Sequence, residues 1–185
     1  MNIYKVIITC CFSLAIAFAI SFYNLERTFE QTLQKATGPA GGVTANNQFK
    51  LAELYDYGLG VPRNQLLAIK WYIKAAEKGD TEAQKTLAFK YELGLGVPVN
   101  YWEAKRWLEA LAEKGDMEAQ YNLALMYHLG KGIVRDDETA HMYANISSAK
   151  GHKDATELLT GLEQSMTSMR IKTAKAMAKK WMSLH

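Results

Sequence analysis

Cysteine is nearly missing from this chain. The 185 residues hold two cysteines and three prolines, and the formal net charge is only +3. Both cysteines, Cys10 and Cys11, lie inside one uncharged apolar run, so the rest of the chain has no thiol to staple it or to bind metal, and Cys10 and Cys11 read as small hydrophobes. A lipoprotein signal would need a small residue before the cysteine and a longer apolar stretch upstream, and Ile7-Ile8-Thr9-Cys10 offers neither. With 49% hydrophobic and 22% charged residues the composition is that of an ordered protein, neither disordered nor fibrous. The small net charge, with no basic stripe carrying interleaved aromatics, argues against nucleic acid as a partner.

Recognisable chemistry is scarce too. The Gly-x-Gly pairs at 58/60, 94/96 and 130/132 lack the third glycine of a dinucleotide fingerprint and follow helical segments, so they read as turns. His128, His141 and His152 lack the spacing of a zinc protease and are expected to be exposed or to cap helices, with no metal and no cofactor implied. The adjacent acids Asp136 and Asp137 open a helix, where they face the positive end of its dipole. No nucleophile, base and orienting group can be assembled, so the chain is not expected to be an enzyme.

What the sequence does have is a repeat. At a step of 36 residues Leu51, Leu87 and Leu123 fall in register, as do Tyr55, Tyr91 and Tyr127, Ala68, Ala104 and Ala140, and Gly79, Gly115 and Gly151. Such a period marks stacked units, none of which buries its apolar face alone. Ala83, Leu87, Ala88 and Tyr91 recur at helical spacing, and Gly94-Leu95-Gly96-Val97-Pro98 then stops that helix. Asn100 is placed to cap a second helix with Ala104, Trp107, Leu108 and Leu111 as its apolar stripe, and Asn64 and Asp136 hold the equivalent position elsewhere. Gly79, Gly115 and Gly151 end the second helices, and Asp80 and Asp116 open the first helices that follow.

Ala83-Gln84, Leu87-Ala88, Tyr91, Gly94-Leu95-Gly96-Val97-Pro98, Ala104, Trp107 and Ala112-Glu113-Lys114-Gly115-Asp116 resemble the consensus of Sel-one-like repeats (SLRs), relatives of the tetratricopeptide repeat. The resemblance covers about residues 46–152 in three units, 46–80, 81–116 and 117–152. Departures fall in the outer units: Asn47 stands in place of alanine, Val134 of proline, Tyr143 of tryptophan, and Ser147 and Ser148 of apolar residues. The resemblance implies protein–protein interaction with no common catalytic activity. It implies an all-α fold, a short right-handed helix-turn-helix solenoid of three repeats with a C-terminal capping helix pair, and the residues before it are expected to add an N-terminal apolar signal or anchor helix. A cysteine-free body sets the chain apart from the disulfide-stapled family members proposed to hydrolyse β-lactams.

The flanks add three expectations. Val6 to Tyr23 carries no charge and follows Lys5, the pattern of a secretory signal or a short anchor, so residues 1–23 direct the repeats out of the cytoplasm, into the periplasm or onto the inner membrane. Cleavage after Ala17, Ala19 or Ser21 and retention as an anchor both stay open, and membrane contact is expected only through this segment. In residues 24–45, Leu25, Phe29, Leu33 and Ala36 share one side of a helix from about Asn24 to Ala36 that either extends the anchor or folds back on the repeats, and Gly38-Pro39-Ala40-Gly41-Gly42 forms a joint. In residues 153–185, Ala155, Leu158, Leu159 and Leu162 repeat the first-helix pattern, and a helix from about Ser168 to Leu184 offers Ile171, Ala174, Ala178, Trp181 and Met182 to close the core. That last helix is basic, with Arg170, Lys172, Lys175, Lys179 and Lys180 and no acid from Ser165 onward. A solvated outer face is the simpler reading, and contact with anionic lipid or an acidic partner is the alternative.

Placing residues about 100° apart on the first helices puts a second set opposite the core face. The set comprises Phe49, Glu53 and Asp56 in the first unit, Glu82, Lys85, Phe89 and Glu92 in the second, and Glu118, Tyr121, Leu125 and His128 in the third. By resemblance to a tetratricopeptide-like stack these line the concave side. Aromatics flanked by charges there suit a protein or peptide partner. The expected role is an exported adaptor. A cell-wall or β-lactam hydrolase is the disfavoured alternative, and a regulatory or immunity protein that blocks its partner is not separable from an adaptor by sequence.

Overall fold

The computed structural model describes residues 3–38 and 43–185, with side chains from residue 17 onward. Most of the Gly/Pro joint, residues 39–42, and the side chains of Cys10 and Cys11 lie outside the described residues. The described residues form nine helices and no strand: α1 (Ile3–Thr37), α2 (Ala45–Tyr57), α3 (Gln65–Glu77), α4 (Thr81–Leu93), α5 (Tyr101–Glu113), α6 (Met117–Leu129), α7 (Asp137–Ala149), α8 (Lys153–Ser165) and α9 (Ser168–Met182). They divide into two compact units, Met1–Asp80 and Thr81–His185.

The repeat is visible in its caps. Asn64, Asn100 and Asp136 have nearly the same extended backbone, and each side chain accepts the amide three residues on, from Leu67, Glu103 and Thr139. This satisfies one of the amides that a helix start leaves unpaired. Thr44, Asp116 and His152 do the same for α2, α6 and α8. Gly58 and Gly130 end α2 and α6 in the left-handed region, which costs glycine no Cβ clash.

In the first unit, α2 and α3 pair and α1 lies on α2. Phe29 and Ala36 of α1 are buried with Leu51, and Leu33, Leu54, Tyr55, Val61 and Trp71 pack around them. Phe29 meets the Tyr55 ring edge to face at 5.4 Å. Helix α1 runs through Asn24 without interruption, because residues 3–37 contain no glycine or proline. Its C-terminal half therefore folds onto the first repeat while continuing the apolar run. Contact is close at Gly60, where an added Cβ would run into the Leu25 carbonyl. In the second unit the equivalent Gly132 faces the start of α5 in the same way, and its Cβ would meet that of Tyr101. Helix α1 thus takes, against the first repeat, the place that a preceding second helix takes against a later one.

In the second unit α4 pairs with α5 and α6 with α7, and α8 and α9 close the far end. Leu87 and Leu123 are fully buried, each worth about 1.5–3 kcal/mol in apolar burial. Ala140, Leu162, Met166 and Ala174 form the closing core, with Tyr127, Leu158 and Ile171 against it. Met182 is an exception to the expected apolar face, nearly half exposed one turn past the last buried residue, Ala178. The departures from the consensus are accommodated locally. Ser147 is buried and donates its hydroxyl to the Met117 carbonyl at 2.7 Å, and Tyr143 stacks on Tyr127 with ring centres 6.0 Å apart.

Candidate partner-binding groove

Helix α4 turns Ala83, Leu87 and Ala88 inward and leaves Phe89 about half exposed, at 56%. Between α4 and α6 lies a concavity of about 340 Å³ with Leu108 and Leu111 of α5 as its floor and Ala88, Phe89 and Ala119 on its walls. Four of the expected contact residues, Lys85, Phe89, Glu92 and Glu118, line it. The floor residues are the ones sequence reasoning assigned only to the core. The signal was present in their apolar stripe, but whether such a stripe is covered or open depends on how far apart α4 and α6 stand.

The rim is charged, and its side chains are bonded to neighbouring groups. Lys85 Nζ lies 3.1 Å from Asp116 and 3.6 Å from Glu82, Glu92 takes Lys131 at 3.0 Å, and Glu118 lies 3.0 Å from His152 Nε2. Burial works to raise the Asp116 carboxyl, but the Ala119 amide and the Lys85 ammonium outweigh it and hold Asp116 below the usual aspartate value. Its hydrogen bond to Asp116 in turn raises Lys85. Along α6, Tyr121 stacks on His152 at 4.6 Å, Leu125 is half-buried, and His128 Nδ1 meets Asp137 at 2.8 Å. Tyr121 and His128 are thus tied to neighbouring side chains.

The first unit treats its candidates differently. Phe49 is half-buried with its ring 5.6 Å from that of Tyr72, and Glu53 lines a shallow depression between α1 and α2. Burial raises the Glu53 carboxyl above the usual glutamate value; Lys50 opposes this and Asp80 adds to it. Asp56 was expected on the open face and is instead buried, 5% exposed. It sits in the last turn of α2 against α3, where the Tyr72 hydroxyl donates to its carboxylate at 3.4 Å and Arg63 donates to its main-chain carbonyl at 2.7 Å. Burial and the adjacent Asp56 carboxylate push the Tyr72 hydroxyl far above its ordinary value.

One histidine also departs from expectation. His152 is the cap of α8 and His128 is part-exposed, but His141 is fully buried, its Nε2 3.2 Å from Glu163. Position 141 lies one residue after the buried Ala140, and α8 and α9 cover that face of α7. Among the described residues no group of three or more His, Cys, Asp or Glu is placed to hold a metal ion.

Two solved structures share this architecture. A Sel1 repeat protein from Oxalobacter formigenes matches with a TM-score of 0.61 and 28% identity over 84% of this chain and 62% of its own. A protective antigen of uropathogenic Escherichia coli with an SLR fold matches with a TM-score of 0.52 and 24% identity over 84% of this chain and 44% of its own. The chain thus spans less than two thirds of either relative. No curated protein matches it. The Sel1 repeat matches at residues 48–80, 81–116 and 118–152, and the chain belongs to the Sel1 repeat family, whose solenoid fold is generally a non-catalytic protein–protein interaction module.

Proposed function

We propose that this protein is an exported adaptor whose α4–α6 groove takes an apolar or aromatic side chain of a partner protein or peptide. The observation that carries the reading is Phe89, a large apolar residue about half exposed beside an apolar floor and inside a charged rim. Aromatics so placed are the residues that dominate binding energy when an interface forms around them, with a polar rim that keeps water from the contact. Export is supported by the uncharged run Val6–Tyr23 behind Lys5.

The test separates binding from folding. Phe89→Ala is expected to leave stability within about 0.5 kcal/mol of wild type and to weaken partner capture from envelope extracts by about 1–2 kcal/mol. Leu66→Ala, an apolar truncation at a more exposed position on α3, serves as the control and should leave capture unchanged. Equal capture by both variants would remove the groove from consideration. A reporter fused after His185 should be active only outside the cytoplasm, and cytoplasmic activity would refute export.

A further inference from the structure

Helix α9 closes the second unit with one face and presents a different chemistry with the other. Ala174 and Ala178 are buried, with Ile171 and Trp181 half-buried beside them. Two of its cations hold the closing helix in place, Arg170 on Glu138 at 2.8 Å and Lys175 on Glu163 at 2.8 Å. Lys172, Lys179 and Lys180 do not take part. All three are exposed and have no ion-pair partner among the described residues. At about 100° per residue they fall within an arc of roughly 100° centred opposite Ala174 and Ala178, and from Lys172 to Lys180 they extend about 12 Å along the axis. No acidic residue occurs from Ser165 to His185 to interrupt this field. Met169, 73% exposed, lies on the same arc, and Leu184, 70% exposed, follows the end of the helix.

We infer that this outer face of α9 is a docking surface for an anionic lipid bilayer. The chemistry favours this occupant over single-stranded nucleic acid. Stacking on nucleic-acid bases requires a free aromatic face or guanidinium. Here the Trp181 ring is held between His185 at 4.3 Å and Tyr143 at 6.5 Å, and Arg170 is committed to Glu138. What remains is lysine point charge with exposed methionine and leucine beside it, a combination that suits the boundary between headgroups and acyl chains. The same chain carries an uncharged run of 18 residues, Val6–Tyr23, and a polybasic patch joined to one apolar signal is the pairing that makes membrane attachment stable. The inference is independent of the partner groove and of the direction of export.

The test uses the full chain on vesicles of phosphatidylcholine alone and of phosphatidylcholine mixed equally with phosphatidylglycerol. The apolar run contributes to binding on both, so the ratio of the two affinities isolates the charged surface. Three lysines near an anionic surface are together worth about 100-fold, so Lys172→Gln/Lys179→Gln/Lys180→Gln should lower that ratio by about that factor with an unchanged melting curve. Amine acylation read by mass spectrometry should show Lys172, Lys179 and Lys180 protected on the anionic vesicles and exposed at high salt, with the exposed Lys70 of α3 as the internal reference. An unchanged ratio in the triple variant would overturn the inference, as would equal acylation on both vesicles. Protection by soluble heparin without protection by the anionic vesicles would also overturn it, by assigning the face to an acidic polymer.

Discussion

The two compact units solve the same problem with different materials. Each has a repeat whose apolar face would be open at one end, and each covers it with a helix from outside the repeats. Met1–Asp80 buries Phe29 and Ala36 of α1, with Phe29 edge-on to Tyr55 and Leu33 packed beside them. Thr81–His185 buries Ala174 and Ala178 of α9, with Ile171 and Trp181 half-buried beside them, and adds ion pairs from the helix to Glu138 and Glu163. The first cover rests on an aromatic contact, the second on alanines and ion pairs. The difference teaches that capping a helical array requires apolar cover and a fixed register but no particular residue type.

The most forceful way to break the comparison is at Phe29. Phe29→Ala removes the one aromatic that α1 contributes to the buried cluster and should cost about 3–5 kcal/mol, exposing α2 and α3 to hydrogen exchange while α6 to α9 keep their protection. Loss of protection across both units at once would show that they unfold together. A smaller effect is expected at the point of closest approach. Gly60 has φ +73° and its Cβ would enter the Leu25 carbonyl, so Gly60→Ala should cost upwards of about 1–2 kcal/mol. Gly151→Ala, at φ +93° with nothing within 4 Å of the added atom, should lose only the backbone part of that. Equal losses in the two variants, by thermal melting, would mean α1 does not press on the first turn.

The smallest effect distinguishes the units by pH. Asp116, Asp137 and Glu163 all lie in the second unit and are held below their ordinary values, Asp137 by Arg135 and His128 against the pull of burial, Glu163 by Lys175 and His141. Depressed carboxyls stabilise the fold above their ordinary values, and that contribution is lost as the pH falls through their folded ones, below 3.8 for the aspartates. Glu53 in the first unit is raised, so its ionisation opposes folding and the penalty is relieved as the pH falls through its folded value, above 4.5. Acidification should therefore weaken α6 to α9 before α2 and α3, a sequence that exchange measured at stepped pH reads directly. The reverse order would mean that these carboxyls do not govern acid stability.

Much of this was legible in the chain. The 36-residue register, the capping positions Asn64, Asn100 and Asp136, and the inward faces around Leu51, Leu87 and Leu123 all follow from local rules: glycine at a left-handed stop, a short polar side chain at a helix start, apolar residues at helical spacing. The closing helix was legible from Ser168 for the same reason, with Thr167 as its cap. The outward placement of Phe89 also follows from helical spacing, since it lies about half a turn from Leu87 and Ala88. Asp56 and His141 were not legible. A carboxylate near a helix end and a histidine within a helix look the same in sequence whether water or another helix faces them.

The sequence by itself determined which segments become helices, where each stops, and which stripe of each seeks cover, because these depend on backbone sterics and on apolar residues recurring along one chain. Only the tertiary structure decided what does the covering. Whether α1 continues as a free rod or lies on the first repeat rests on Gly60 meeting Leu25 across 35 positions of chain, and whether Leu108 and Leu111 are sealed or form a floor rests on the separation of α4 and α6. Such contacts join residues far apart in sequence and depend on complementary shape at both surfaces, which no single stretch of chain encodes.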